Sequence, residues 1–248
     1  MLSDIIDIPS GSLISLVGAG GKTTTMYTLA TELAAKGMRV VTTTTTNLYV
    51  PRKGETDTLI VSAETPTLLK MLNSAWKQYQ RITVAAKAVG AEKIGGLQLD
   101  QPFELLINSG ADVVIVEADG ARHGMIKAPA EHEPVVPPQT NIVLLLMSAE
   151  AINQPLSAEL AHRPERIAAI LGLKLGDVLT PRHVARLMTN EQGAIKSIPE
   201  TANIYLLLTH VTEKNASVTR EVAELVKSSG RGIRVLCSSR PGQWSIAL

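Results

Sequence analysis

The stretch Val17-Gly18-Ala19-Gly20-Gly21-Lys22-Thr23-Thr24-Thr25 constrains the fold more than any other part of the chain. An apolar run from Leu13 to Val17 precedes it and reads as a buried strand. Beyond it, Met26, Leu29, Ala30, Leu33 and Ala34 recur at i, i+3, i+4, i+7 and i+8, the stripe of an amphipathic helix. A strand, a glycine turn and a helix N-terminus together form a cradle for phosphate. Glycines let backbone N–H groups approach an anion closely, and the helix end adds its partial positive charge. Gly18, Ala19, Gly20, Gly21, Lys22, Thr23 and Thr24 are therefore the expected nucleotide-binding residues. Lys22 is expected to reach the outer phosphates during catalysis, and the Thr23 hydroxyl to bind Mg2+. The usual loop has four residues between its first glycine and Gly-Lys. Here Gly18 and Gly21 enclose only two, and Leu16 stands where the longer loop begins. An ordinary glycine turn capping a helix accounts for the glycines, but not for Lys22, the threonines and both flanking elements at once.

With 248 residues the chain fits one large α/β domain or two small ones, and it can bury a substantial core. A net charge of +1 supplies no basic field for nucleic acid. Aromatics at 3% leave the core to Leu, Val, Ile and Ala, and leave no stacking platform for single strands. The single cysteine, Cys237, rules out an internal disulfide and fits a reducing compartment. Met1 to Gly11 holds two aspartates and neither Lys nor Arg, unlike a signal peptide. Ile142 to Met147 is too short to span a bilayer. The expectation is a soluble, cytoplasmic protein without nucleic-acid or membrane partners.

Gly37 ends the first helix, and Arg39 to Thr43 reads as a second strand, which completes a βαβ unit. This strand enters five consecutive threonines, Thr42 to Thr46. They suit a strand by β-propensity alone. Equally, hydroxyls at a strand's carboxyl end beside a phosphate loop suit a γ-phosphate or a metal's water shell, and Thr44 is a candidate metal ligand on that ground. Further strands are expected at 58–61, 81–86, 142–147, 204–208 and 233–237, with helices at 66–79, 101–109 and 217–228. Residues 88–98, with Gly90, Gly95 and Gly96, read as a loop. Segment 149–198 reads as a mainly helical insertion with N-caps at Ser157 and Thr180. The fold class is α/β: a three-layer, P-loop NTPase-like fold with a mainly parallel central sheet, in a single domain over 1–248.

Val113-Val114-Ile115-Val116-Glu117 is a β-branched run ending in a carboxylate, the pattern of a strand whose acid holds magnesium opposite the loop threonine. Glu117 is the first candidate for metal and catalysis. Asp119 is the second, although Asp119-Gly120 is also a plain turn signal. The proline-rich loop Ala121 to Pro138 carries Arg122, His123 and His132. Long loops inside compact domains are often functional. His132 is a candidate acid/base, with a ligand role or simple solvation as alternatives.

Several stretches together resemble a known family. They are Gly18-Ala-Gly-Gly-Lys-Thr-Thr24, Thr42-Thr-Thr-Thr45, Val116-Glu-Ala-Asp-Gly-Ala121 with Lys127-Ala-Pro129, His132-Glu-Pro134, and Pro155-Leu156 leading to His162-Arg-Pro164. The chain resembles the YqeC family, accessory proteins of selenium-dependent molybdenum hydroxylases, and the likeness runs from about Gly11 to about residue 210. It implies NTP binding and a part in selenium or molybdenum cofactor maturation, with a molybdenum hydroxylase or its cofactor as partner. The shortened loop is also similar to the G-x-x-G-K-T-T loop of Mur-type ligases. Family members often carry an Asn-Lys-x-Asp-like segment after the strand corresponding to 204–208, but this chain reads Thr209-His210-Val211-Thr212. No acid is present there to accept from guanine, so ATP is expected ahead of GTP.

Two functions remain open at the level of sequence. One is ATP-dependent hydrolysis or phosphoryl transfer, with Lys22 and the loop amides neutralising charge and Thr23 with Glu117 holding Mg2+. In that reading the acceptor meets Arg122, His123, His132 and His162. The other is a nucleotide-gated chaperone that delivers a cofactor to a partner enzyme. The acceptor, the partner protein and the oligomeric state are not written in the sequence.

Overall fold

The computed structural model describes residues 1–247. By packing, the chain forms two compact units. One comprises Met1–Leu16, Thr23–Asp119 and Val135–Ile142; the other comprises Val17–Lys22, Gly120–Pro134 and the chain from Val143 onward.

The first unit is built on β1 (Ser12–Gly18), α1 (Lys22–Ala35), β2 (Val40–Thr44), β3 (Asn47–Tyr49), β4 (Thr58–Val61), α2 (Thr65–Ala75), β5 (Arg81–Ala85), β6 (Lys87–Val89), β7 (Lys93–Gly95), α3 (Gln101–Asn108) and β8 (Val113–Glu117). Its parallel strands lie in the order β1-β8-β2-β5-β4. Every residue of β2 and β8 is buried. That is why these strands read as unbroken runs rather than as alternating ones. Met26, Leu29, Ala30 and Leu33 of α1 are all buried, as their spacing requires.

One register decides where the chemistry can sit. Leu16 of β1 and Thr44 of β2 both pair with Glu117 of β8. The carboxylate thus stands at the carboxyl end of a strand flanked on both sides.

Residues 87–97 differ from the expected loop. β6 and β7 pair antiparallel, and β7 pairs with β3, to make a separate three-stranded sheet. Gly96 belongs to that construction, because a Cβ there would come within 2.4 Å of the Thr45 backbone. Glycine in this segment marks a close backbone approach, not only a break.

The second unit holds β9 (Ile126–Lys127), β10 (Ile142–Ser148), β11 (Ala161–His162), α4 (Pro164–Leu171), α5 (Pro181–Met188), β12 (Asn203–Thr209), α6 (Ala216–Ser228), β13 (Arg234–Arg240) and β14 (Gln243–Ile246). Its larger sheet runs β10-β12-β13-β14, and β9 pairs with β11 in parallel. β13 extends past the expected end and returns through Pro241-Gly242 as antiparallel β14. The Pro-Gly pair is a turn signal with a strand on either side.

Between 149 and 198 the α-helices are two short ones of eight residues each, after a single 3-10 turn at Ala149–Ala151. No helix starts at Ser157; its hydroxyl accepts from Leu160 in a turn. Arg163 precedes Pro164 and takes φ 62°, so no helix can run through it. Thr180 does cap α5, accepting from His183 N–H while the His183 ring accepts from the Thr180 N–H. The class is α/β and P-loop NTPase-like, with a mainly parallel central sheet and flanking helices.

Candidate functional site

The glycine loop between β1 and α1 is held by backbone groups. Ala19 N–H donates to Leu146 O at 2.9 Å, and Gly20 N–H to Gly124 O at 3.2 Å. A Cβ at Gly18 would lie 2.3 Å from Leu146 O, and one at Gly20 would lie 2.5 Å from Ser148 N. Both positions exclude any side chain for steric reasons alone. The Ala19 and Gly20 amides thus serve the fold, whereas the Gly21 amide makes no hydrogen bond among the described residues. The leading N–H groups of a helix have no intrahelical acceptor. Lys22 is only 5% exposed, and its ammonium curls back to Gly18 O at 2.7 Å.

Thr23 and Glu117 meet directly. The Thr23 hydroxyl donates to Glu117 Oε2 at 2.8 Å, although 94 residues separate them in sequence. Glu117 is 7% exposed. Its carbonyl accepts from the Thr44 hydroxyl at 2.7 Å, and Thr44 Oγ1 in turn accepts from Thr46 N–H at 3.0 Å. Thr44 therefore grips the backbone that carries Glu117.

Its neighbours are engaged as well. Thr42 bonds the Thr83 hydroxyl, Thr43 donates to Val84 O, and Thr45 donates to Val135 O. Asp119 is buried instead of lying in a solvated turn.

Hydroxyl and carboxylate oxygens suit Mg2+, which binds through one or two protein oxygens and leaves its other positions to phosphate and water. The Thr23–Glu117 pair fits that demand. No group of three or more His, Cys, Asp and Glu side chains among the described residues is placed to hold a metal. A nucleotide-borne magnesium requires none.

The loop 120–134 carries a second constellation. Lys127 reaches Glu133 at 2.8 Å and Gly120 O at 2.6 Å. Arg163 holds both oxygens of Glu133, at 2.6 and 3.0 Å. Burial alone would raise the Glu133 pKa, but Arg163 and Lys127 outweigh it and bring it down to about 2. His162 sits beside this cluster. Its own burial, then Arg163 and Lys127, lower its pKa and favour the neutral ring.

Arg122 and His123 occupy consecutive left-handed positions, φ 43° and 62°, in a turn closed by Gly124 N–H to Ala121 O. Side chains are rarely held so except where the surroundings impose it. Both are exposed, and so is His132. Burial pushes the Cys237 thiol up to about 11, which removes it as a nucleophile near neutral pH.

Sequence reasoning named Lys127, Glu133 and Arg163 without giving them a role. Nothing in a linear text pairs a carboxylate with a guanidinium 30 residues away. Thr209 was missed also; its hydroxyl donates to Gly20 O at 2.7 Å.

The family model described as YqeC protein matches residues 14–165. A protein of Escherichia coli (strain K12) named "Uncharacterized protein YqeC" is 31% identical over 195 residues, covering 76% of this chain and 72% of its own. Among solved structures, FtsY from Mycoplasma mycoides aligns at 11% identity with a TM-score of 0.39, over 95% of this chain and 63% of its own. The signal recognition particle 54 kDa protein from Aeropyrum pernix K1, in complex with GDP, aligns at 16% identity with a TM-score of 0.41, over 97% of this chain and 44% of its own. The chain thus spans less than two thirds of the length of either solved protein. Among the described residues no helix is long and apolar enough to cross a membrane.

The buried triad yields a stability prediction. Glu133→Gln leaves two cations facing a neutral amide, a loss on the order of 3 kcal/mol near pH 7 by denaturant titration. Because folding depresses the Glu133 pKa from 4.5 to about 2, its contribution is complete above the upper value. It fades as pH falls toward the lower one. The variant should lose this acid-side slope; parent-like stability at both pH values would show that the triad contributes nothing.

Proposed function

The chain belongs to the YqeC family, and on that premise we propose that it binds a nucleoside triphosphate, preferably ATP, with Mg2+ and hydrolyses it or transfers its terminal phosphoryl group. The observation that carries this reading is the 2.8 Å hydrogen bond from Thr23 to Glu117. It joins the residue that opens the helix after a glycine loop to the acid that ends a neighbouring strand. Thr23 and Glu117 are the residues to hold Mg2+, with Thr44 acting through the Glu117 carbonyl. Magnesium, when bound with nucleotide, supplies positive charge at the phosphates. Lys22 and the amides from Gly21 onward bind and orient the phosphate chain. Asp119 is the second catalytic carboxylate in this proposal, and His132, on the exposed loop, a candidate acid/base toward the acceptor.

The proposal treats residues 1–248 as one nucleotide-binding domain interrupted at 149–198. Its setting, maturation of a selenium- or molybdenum-dependent hydroxylase or its cofactor in the cytoplasm, rests on the family resemblance. A second reading, a nucleotide-gated chaperone, is favoured by one observation. The backbone of Thr44 and Thr46 accepts from Leu97 and Gly96, so the grip on Glu117 continues into the edge of the β3-β7-β6 sheet. A change at Glu117 therefore has a mechanical path to that sheet.

Four outcomes test this. Parent protein with nucleotide and Mg2+ at a hundred times the dissociation constant should gain about 2.7 kcal/mol of stability. Lys22→Ala should lose that gain while keeping its unliganded melting temperature; retained affinity would remove the phosphate-loop assignment. Glu117→Gln should bind nucleotide yet lose turnover or its magnesium dependence, and a parent-like rate and metal response would reduce Glu117 to a structural acid. In competition with Mg2+ present, ATP should displace GTP. The Thr209-His210-Val211-Thr212 segment offers no carboxylate, and an unmet buried donor pair costs on the order of 1–3 kcal/mol. A clear GTP preference would overturn the ATP assignment and point to Glu213, or to a residue near Ser238-Ser239-Arg240, as reader.

A further inference from the structure

The Gly20-Gly21 peptide is the part of the loop most able to turn the wrong way. Both residues have positive φ, 77° and 117°. With no Cβ on either side, rotation of the plane between them meets little resistance. A trans peptide points its carbonyl and its N–H in opposite directions. Whatever fixes Gly20 O therefore fixes the aim of Gly21 N–H. That N–H makes no hydrogen bond among the described residues, Gly21 is exposed, and a Cβ placed there would meet nothing within 4 Å. If the plane flipped, a carbonyl oxygen would face the anion in place of a donor.

Gly20 O is tethered by Thr209, whose Oγ1 lies 2.7 Å away. The same oxygen lies 3.2 Å from Met147 O and 3.0 Å from His210 Nδ1. A hydroxyl has one proton to give. Given to Gly20 O, the closest acceptor, it leaves the oxygen free to accept from His210 Nδ1–H. Given to an unprotonated Nδ1, it leaves Gly20 O without its tether. The imidazole thus sets the direction of the chain His210 to Thr209 to Gly20 O.

His210 is held for this at φ 55° by several bonds. Asn215 donates to its carbonyl at 3.1 Å, Thr212 N–H donates to the Asn215 side chain at 2.7 Å, and Val211 N–H donates to Ser238 O at 2.9 Å. A left-handed histidine braced in this way is a strained arrangement kept in place by its surroundings.

We propose that Thr209 and His210 are positioning residues for phosphate binding, which hold the Gly20-Gly21 peptide with its N–H toward the anion. The inference rests on the phosphate-loop reading above, and both residues lie outside the 14–165 stretch matched by the family model.

The test has two arms. In nucleotide-free protein, the carbonyl 13C shift of Gly20 and hydrogen exchange at Gly21 N–H report the peptide plane directly. Thr209→Val should move both, and Thr209→Ser should restore them. His210→Asn keeps a donor at the Nδ1 position and tolerates the left-handed backbone, so it should match the parent. His210→Gly relieves the backbone but removes the donor, and it should move both signals. Because His210 is exposed, these last variants keep the core intact.

In the second arm, Mg-ATP affinity should fall about five- to tenfold in Thr209→Val and His210→Gly, the equivalent of one net hydrogen bond, and stay within twofold in the two conservative variants. Parent-like Gly20 and Gly21 signals in Thr209→Val and His210→Gly would overturn the assignment of the dyad. The parent's own Mg-ATP binding, set against Lys22→Ala, decides the phosphate-loop reading, so the two ideas fail separately.

Discussion

A carboxylate buried at the end of a strand must find a hydrogen-bond donor, and Glu117 finds one in the hydroxyl of Thr23. Much of the first unit follows from that requirement. β8 must lie beside β1 so that Leu16 and Glu117 fall opposite each other, and α1 must begin within a turn of the glycine loop so that Thr23 faces the acid. Glu117 must also be kept from sliding, and the Thr44 hydroxyl provides the restraint through its carbonyl. At 2.8 Å the bond has the ordinary length of an O–H···O hydrogen bond. The same two oxygens are of the kind that a hard cation takes up.

The glycine loop, itself part of the second unit, is under a different constraint. Leu146 and Ser148 come so close that Gly18 and Gly20 admit no side chain, while the backbone of Leu146 and Gly124 fixes two of the loop amides. Glycine at these positions answers to packing, whereas Gly21 answers to its φ of 117° and the open space before it. A motif read from sequence treats the three as equivalent. The structure separates two that brace the loop from one whose amide makes no hydrogen bond among the described residues.

This contrast explains what was legible in the sequence. The strand–loop–helix unit, the buried run ending in Glu117 and the mainly parallel sheet could be read because each depends on residues close together in the chain. Thr23 and Glu117 could be matched as well, since the pattern supplies both ends of a distant contact. The β3-β7-β6 sheet escaped because its strands have only three residues each, too few for a period to register, and its glycines read as breaks. β14 escaped because the last strand reads as ending at Cys237, short of the Pro241-Gly242 corner that turns the chain back. The expected helix at Ser157 failed for a local reason, since Arg163 ahead of Pro164 cannot be helical. The triad of Lys127, Glu133 and Arg163, and the tether from Thr209 to Gly20, are tertiary contacts with no spacing rule to announce them.

The threonine run shows how two readings of one stretch can share a cause. As a strand, Thr42 to Thr44 is fully buried, and β-propensity accounts for it as well as valine would. Valine, however, would leave Val84 O, Glu117 O and Val135 O without the side-chain donors that Thr43, Thr44 and Thr45 give them. Each net bond of this kind is worth about 1 kcal/mol, enough to hold a backbone in one arrangement over another. The hydroxyls therefore matter through the carbonyls they hold. Of these only the Thr44 bond bears on the acid that faces Thr23. A run that looks like five equal candidates for a phosphate contact resolves into a brace with one member at the chemically relevant end.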